Sequence, residues 1–310
     1  MTRRGWVLFV ALGLIWGVPY LFIRIAVTEL DPVVVAFGRT TIGALLLLPL
    51  AIRARALRPL LAHWKALLVY TLVEIVGPWV LLGHAETSLN SSTTGLLIAT
   101  VPIVTAVLVT TLGHDRLTPR RVLGLVVGFC GVGLLVGLDF QPRDGVAVLE
   151  VLAVVIGYAI GPIVITRYLA ELPSMGVVTG SLIIATIAYA PFALPRWPVA
   201  PSAGVLVAVL VLAVLCTATA FLVMFALIAE VGPARMSLIT YVNPVVAVSL
   251  GALVLHEPIT IGLALGFPLI LVGSVLGTWR NRRAATAPDR TAAGADPGRP
   301  APTEPPPARA

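Results

Sequence analysis

Apolar runs of about twenty residues, the length a bilayer span requires, recur along almost the whole chain and constrain its fold more than any motif does. Ten of them cover 6–26, 33–52, 65–84, 93–112, 120–137, 147–167, 175–194, 205–225, 235–255 and 261–279. A bilayer core has no water to satisfy loose backbone groups, so only helices or closed barrels cross it. These runs are continuous rather than alternating, which excludes a barrel. Hydrophobic residues make up 58% of the 310 positions and charged residues 11%, far from the balance of a soluble domain. The implied fold is an all-α polytopic membrane protein with ten transmembrane helices. The opening stretch, "MTRRGWVLFVALGLIWGVPYLF", has a basic flank but too long an apolar core for a signal peptide, so it is expected to stay as the first helix. Residues 284–310, rich in Pro, Ala and Arg, cannot bury an apolar face and are expected to form a disordered cytoplasmic tail.

The runs are not independent of one another. The stretch from Thr93 to Leu135 recurs 142 positions later without a gap: Pro102 falls on Pro244, His114 on His256, Asp115 on Glu257, Thr118 on Thr260, Gly124 on Gly266 and Gly131 on Gly273. The same offset sets Trp16 on Tyr158, Glu29 on Glu171 and Pro49 on Pro191. Matches of Pro, His and Gly carry weight because an apolar composition does not favour them. Residues 6–137 and 147–279 therefore read as two copies of one five-helix unit.

Charge placement orients the copies. The net charge of +7 does not mark a nucleic-acid surface, because most Lys and Arg sit at the ends of apolar runs. With the N-terminus cytoplasmic, the inner side holds Arg3, Arg4, Arg53, Arg55, Arg58, Lys65, Arg116, Arg120, Arg121, Arg167, Arg235, Arg280, Arg282 and Arg283, and the outer loops hold only Arg143 and Arg196. That bias follows the positive-inside rule and puts both termini on the cytoplasmic side of a cell membrane. Five helices per copy is an odd number, so the second copy is expected to enter the membrane inverted. Inverted copies that expose one central site alternately to each side are a recurring transporter plan.

Few residues inside the runs carry chemistry. Glu74 lies near the middle of the third run, where an acid costs about 2.5–3.5 kcal/mol and normally faces a cavity or a partner. It is the candidate for proton coupling or for binding a cationic group, with a structural ion pair as the alternative. Arg39, at a similar depth by helical rise, is its natural partner and otherwise a ligand for a substrate carboxylate. Trp16 and Tyr158 match across the repeat, and with Tyr20, Trp79, Thr94, Tyr241 and Asn243 they are candidates for lining a substrate site. Packing or interfacial anchoring is the alternative for the aromatics. Pro102 and Pro244 each remove a backbone donor in mid-run, so an interrupted helix is expected in matching places of the two halves.

The remaining features need less. Arg24 can snorkel to the interface, and His84 and Glu86 are expected to be solvated at the end of the third run. His114-Asp115 and His256-Glu257 are expected to cap short turns. Gly124-xxx-Gly128 and Gly133-xxx-Gly137 in the fifth run, with Gly262-xxx-Gly266 and Gly273-xxx-Gly277 in the tenth, permit close helix approach, either inside one chain or in a homodimer. Cys130 and Cys216 offer no disulfide framework or metal spacing. There is no Gly-rich phosphate loop, no HExxH and no CxxC, so no cofactor, metal or catalytic activity is expected. A small-molecule substrate and the lipid bilayer are the expected partners. A membrane-embedded enzyme or sensor is the competing class.

Specific stretches carry a resemblance. "LGLIWGVPYLFIRIA" (12–26), "DPVVVAFGRTTIGALLLLP" (31–49) and "ALIAEVGPARMSLITYVNPVVAVSLGALVLHEPIT" (226–260) resemble the drug/metabolite transporter superfamily, in particular its ten-helix proteins with two EamA-type repeats. The resemblance covers residues 6–279. It implies alternating-access transport, often efflux, of small metabolites or drugs, with a site among helices one, three, four, six, eight and nine. It also implies a structural role for Arg39, since the "FGR" arginine recurs in such proteins.

Overall fold

The computed structural model describes residues 2–111, 118–139, 144–198, 200–232 and 236–278. The His114-Asp115 turn, the tail 284–310 and several of the basic loop residues lie outside them. The described residues are almost entirely helical, without strands. Eight helices are long and apolar enough to cross a membrane: α1 (Arg3–Ala26), α2 (Pro32–Arg53), α3 (Arg58–Ser88), α4 (Ser91–Thr111), α5 (Pro119–Leu138), α6 (Gly145–Leu169), α7 (Ser174–Arg196) and α8 (Ala203–Val231). Two shorter apolar helices follow, α9 (Leu238–Val254) and α10 (Ile261–Gly277). The chain is a polytopic helical membrane protein. Large apolar side chains such as Leu45, Val126, Ile187 and Leu253 point outward, a surface suited to lipid rather than water.

Local chemistry sets the helix ends. Asp31 accepts a hydrogen bond from Val33 N at 2.9 Å, with Pro32 in the first turn, and so starts α2. Thr2 caps α1 through Gly5 N at 3.0 Å. The third helix is longer than its apolar run: it begins with a 3₁₀ turn at Arg58–His63 and continues to Ser88.

The two halves keep step. Helical segments begin at Arg3 and Gly145, at Pro32 and Ser174, and at Pro119 and Ile261, each pair separated by the repeat offset. Some of the irregularities recur, although a π-helical segment at Ile165–Leu169 in α6 has no counterpart in α1. A π-helical segment covers Leu72–Val76 in α3 and another covers Val214–Thr219 in α8. The helical path of α4 breaks at Ala99–Thr100, just before Pro102. In α9 a 3₁₀ segment, Ser237–Tyr241, precedes the α-helix that starts at Asn243 with Pro244 in its first turn.

Matching helices lie side by side in opposite directions. A methyl on Gly124 of α5 would fall 2.8 Å from Gly273 O of α10, while Gly131, further along α5, meets Ile270, earlier in α10. Gly95 packs on Ala247 and Ser91 approaches Gly251, so α4 and α9 are also antiparallel. Gly43 against Leu182, and Gly176 against Ala56 just past the end of α2, give the same sense for α2 and α7. Among the expected glycine pairs, Gly124, Gly128, Gly266, Gly273 and Gly277 all serve this seam within one chain, whereas Gly133 and Gly137 face nothing within 4 Å.

Candidate substrate site

The π segments of α3 and α8 contribute Ile75, Cys216 and Ala218 to the largest core cluster, which gathers residues of α1, α2, α3, α6, α7, α8 and α9. A π turn inserts one residue and frees carbonyl groups from the α-helical ladder, and each segment is fastened by a side chain from the other half. Arg39 of α2 reaches the α8 segment: its Nε donates to Thr217 Oγ1 at 2.8 Å and its Nη2 reaches Cys216 O at 3.5 Å. Tyr189 of α7 serves the α3 segment, its hydroxyl donating to Ile75 O and Val76 O, both at 3.0 Å. Sequence reasoning missed Tyr189, because nothing in its neighbourhood marks which tyrosine meets a loosened turn on another helix.

Arg39 and Glu74 do not pair. Helical rise alone suggests a similar depth, but the two side chains face different helices. The Arg39 guanidinium stacks on the Trp79 ring, 3.7 Å from its centroid, a cation–π contact in a desolvated setting. Glu74 turns instead to α6, where Gly161 leaves room: a methyl there would fall 2.8 Å from Glu74 Cδ. Glu74 Oε2 is enclosed and receives no hydrogen bond. Tyr158 of α6 packs on the same core as Trp79 and Tyr20 and lies within electrostatic reach of both Glu74 and Arg39.

The remaining candidates lie around this centre. Thr94 is fully buried with an unpartnered hydroxyl, and its neighbour Gly95 contacts the Tyr20 ring. Trp16 stands apart from Tyr158: it packs edge-on against Phe221, centroids 6.4 Å apart, in a cluster with Leu12, Leu227 and Ile239. Tyr241 donates to Ser274 O at 3.1 Å, and the Asn243 amide faces Ile239 O and Gly13 O at 3.1 and 3.2 Å. Those two bind the α9 break to α10 and α1. Ser274 Oγ in turn donates to Ala99 O at 2.9 Å, so α10 satisfies a carbonyl freed by the α4 break. The structure thus unites Tyr20, Arg39, Glu74, Trp79 and Tyr158, and leaves Trp16, Tyr241 and Asn243 in neighbouring contacts.

Three expectations at the far end of the bundle, opposite the start of α1, need correction. Glu86 is not solvated but 0% exposed, although His84 beside it is open and pairs with Glu150 at 2.8 Å. Glu257 does more than cap its own turn. It accepts Ser91 N at 2.8 Å and Ser92 N at 2.9 Å, capping α4 from the opposite half. The same end holds Glu29 against Ser202 N at 2.7 Å and Asp31 against Arg196 at 3.6 Å. The Ser202 amide and hydroxyl hold the exposed Glu29 carboxyl below the usual carboxylate range. Arg24 does not simply snorkel, since it donates to Glu86 O and Thr87 O.

Known proteins share this architecture. A solved crystal structure of a protein superposes with a TM-score of 0.66 at 20% identity, covering 90% of this chain and 98% of that one, a likeness of fold. The uncharacterized transporter YvbV of Bacillus subtilis (strain 168) is 26% identical over 287 residues, 89% of this chain and 91% of its own length. The uncharacterized inner membrane transporter YedA of Escherichia coli (strain K12) is 30% identical over 254 residues, 78% of this chain and 79% of its own. The EamA-like transporter family matches twice, at residues 3–137 and 145–279, and the chain belongs to that family.

Proposed function

We propose that this transporter is a secondary carrier moving a small metabolite or drug across the cell membrane by alternating access, in the export direction, with both termini cytoplasmic. One observation carries the reading: α2 with α7, α4 with α9 and α5 with α10 pack antiparallel in matching pairs. That is the contact pattern two inverted copies produce about an axis in the membrane plane. The loosened segments of α3 and α8 and the breaks in α4 and α9 are irregularities in matching places of the two halves, which is the best pointer to a transporter site. Trp79, Tyr158 and Tyr20 offer apolar faces there, Arg39 a cation and Glu74 a carboxyl, which is the mix a small-molecule site uses. Glu74 is the proton-coupling candidate, since its enclosed oxygen has no donor to replace a proton. The glycine seam of α5 and α10 is satisfied within one chain, and a homodimer would have to use the open face at Gly133 and Gly137.

Flux into proteoliposomes tests this, with amino acids, nucleosides and cationic drugs as the panel. At least one class should move faster than through empty vesicles, and its rate should change when a pH step is imposed. If nothing moves with or without the step, the carrier reading fails in favour of a membrane-embedded enzyme or sensor.

A further inference from the structure

Glu86 is the least explained charged residue in the described chain. Its side chain is 0% exposed, and neither Oε1 nor Oε2 receives a hydrogen bond. A carboxylate sealed from water without a donor costs several kcal/mol at the least. Arg24 is the adjacent cation, but its Nη1 is turned to the backbone carbonyls of Glu86 and Thr87 rather than to the carboxyl. The other groups facing Glu86 do not help a negative charge. Glu257, beyond the end of α9, is an acid, and Tyr20 of α1 brings a neutral phenol. On its own helix, His84 points to solvent and is taken by Glu150 of α6. The conformation described therefore holds Glu86 in its neutral, protonated form.

The two halves join within electrostatic reach of Glu86. Glu257 of the second half clamps Ser91 and Ser92 of the first, with Gly251 packed beneath. Beside the clamp lies a cleft of ≈ 100 Å³, lined among others by Leu89, Ser92, Asp144 and Pro258. Parting the halves along this seam would let water reach Glu86.

We propose that Glu86 is a proton-binding site whose occupancy holds the far end of the bundle closed. The sealed state carries one proton more than the hydrated, open state. Acid pH thus favours closure, and rising pH favours opening through loss of that proton. The step is a protonation alone: a proton from the aqueous phase joins a carboxylate oxygen, and no other bond changes. Opening of this end presupposes the alternating-access reading, so the experiment reads opening rather than flux.

Spin labels at Thr87→Cys and Ile259→Cys, exposed positions on opposite halves, report the separation across the seam. The full chain is measured in nanodiscs with Cys130→Ser and Cys216→Ser. Between about pH 5.5 and about pH 8.5, the ratio of long to short distances should rise at least about tenfold. Glu86→Gln, which is neutral at every pH, should keep the short distance throughout. Glu257→Gln and His84→Asn should retain the pH response, and they decide the matter if Glu86→Gln fails to fold. A distribution indifferent to pH, a response that survives in Glu86→Gln or is lost in Glu257→Gln or His84→Asn, or one that follows sodium instead of pH, overturns the site. A pH response without flux of any substrate leaves the site standing and removes the carrier reading, and flux without a pH response does the reverse.

Discussion

The π segments of α3 and α8 occupy matching places in the two halves, yet they differ in what they hold. In α3 the inserted turn carries Glu74, which lies against Gly161 with an oxygen that nothing donates to. In α8 the matching position is Cys216, and the charge comes from elsewhere: Arg39 reaches over from α2 and bonds Thr217. At this pair of segments the backbone has kept its symmetry and the chemistry has not. One half brings an acid without a partner, and the other is served by a base that neutral groups hold in place. The duplicated scaffold is thus chemically asymmetric here, with an acid on one helix and a base on another. Had Arg39 paired with Glu74, the two would cancel and neither would be available to a ligand or a proton.

Arg39→Ala should break this comparison with the largest effect. It removes a buried side chain that stacks on Trp79 and leaves Thr217 and Cys216 O without their donor. Lost packing and lost hydrogen bonds together should cost roughly 3 kcal/mol, moderated by relief of a buried charge. A lower thermal unfolding midpoint in detergent would report it. Arg39→Met refills the volume without the charge and should recover part of the loss. If Arg39→Ala melts with the parent protein, the α8 segment does not depend on α2.

Glu74→Gln sharpens the comparison from the other side. The amide keeps the shape beside Gly161 but cannot exchange a proton, so unfolding should shift by less than about 1 kcal/mol. The rate change of substrate flux on a pH step should disappear. Full pH dependence in the variant would move proton coupling away from Glu74, and Glu86 would be the next residue to test.

How much of this could be read from the chain alone depends on what each signal measures. The succession of apolar helices was legible, because apolar length is local in sequence. The breaks beside Pro102 and Pro244 were legible for the same reason, since a missing backbone N–H acts where it stands. The π segments were not, because no proline or glycine falls inside Leu72–Val76 or Val214–Thr219 and the extra residue is stabilised by remote side chains. The expected Arg39–Glu74 pair failed because helical rise gives depth and not direction, and the two residues face α8 and α6. Glu86 misled for a related reason. An acid at the end of an apolar run resembles an interfacial one, and the burial that removes Glu86 from water, with Glu257 of the other half within reach, is set by tertiary packing rather than by its local sequence.

Tyr189→Phe is the smallest change and the most direct probe of the symmetry. It deletes one oxygen and keeps the ring in its buried place. Ile75 O and Val76 O lose a donor, in a setting where no water can replace it. A net hydrogen bond contributes about 0.5–1.5 kcal/mol and an orphaned buried acceptor costs about 1–3. The carbonyls retain some support from the helix, so a destabilisation of about 1–2 kcal/mol is expected, below that of Arg39→Ala. The locus should matter more than the size. Since Tyr189 fastens the α3 segment and Arg39 the α8 segment, Tyr189→Phe should raise amide hydrogen exchange around Leu72–Val76 while leaving Val214–Thr219 unchanged. Equal loosening of both segments would mean that they soften as one body, and the division of labour between the two cross-half contacts would fall.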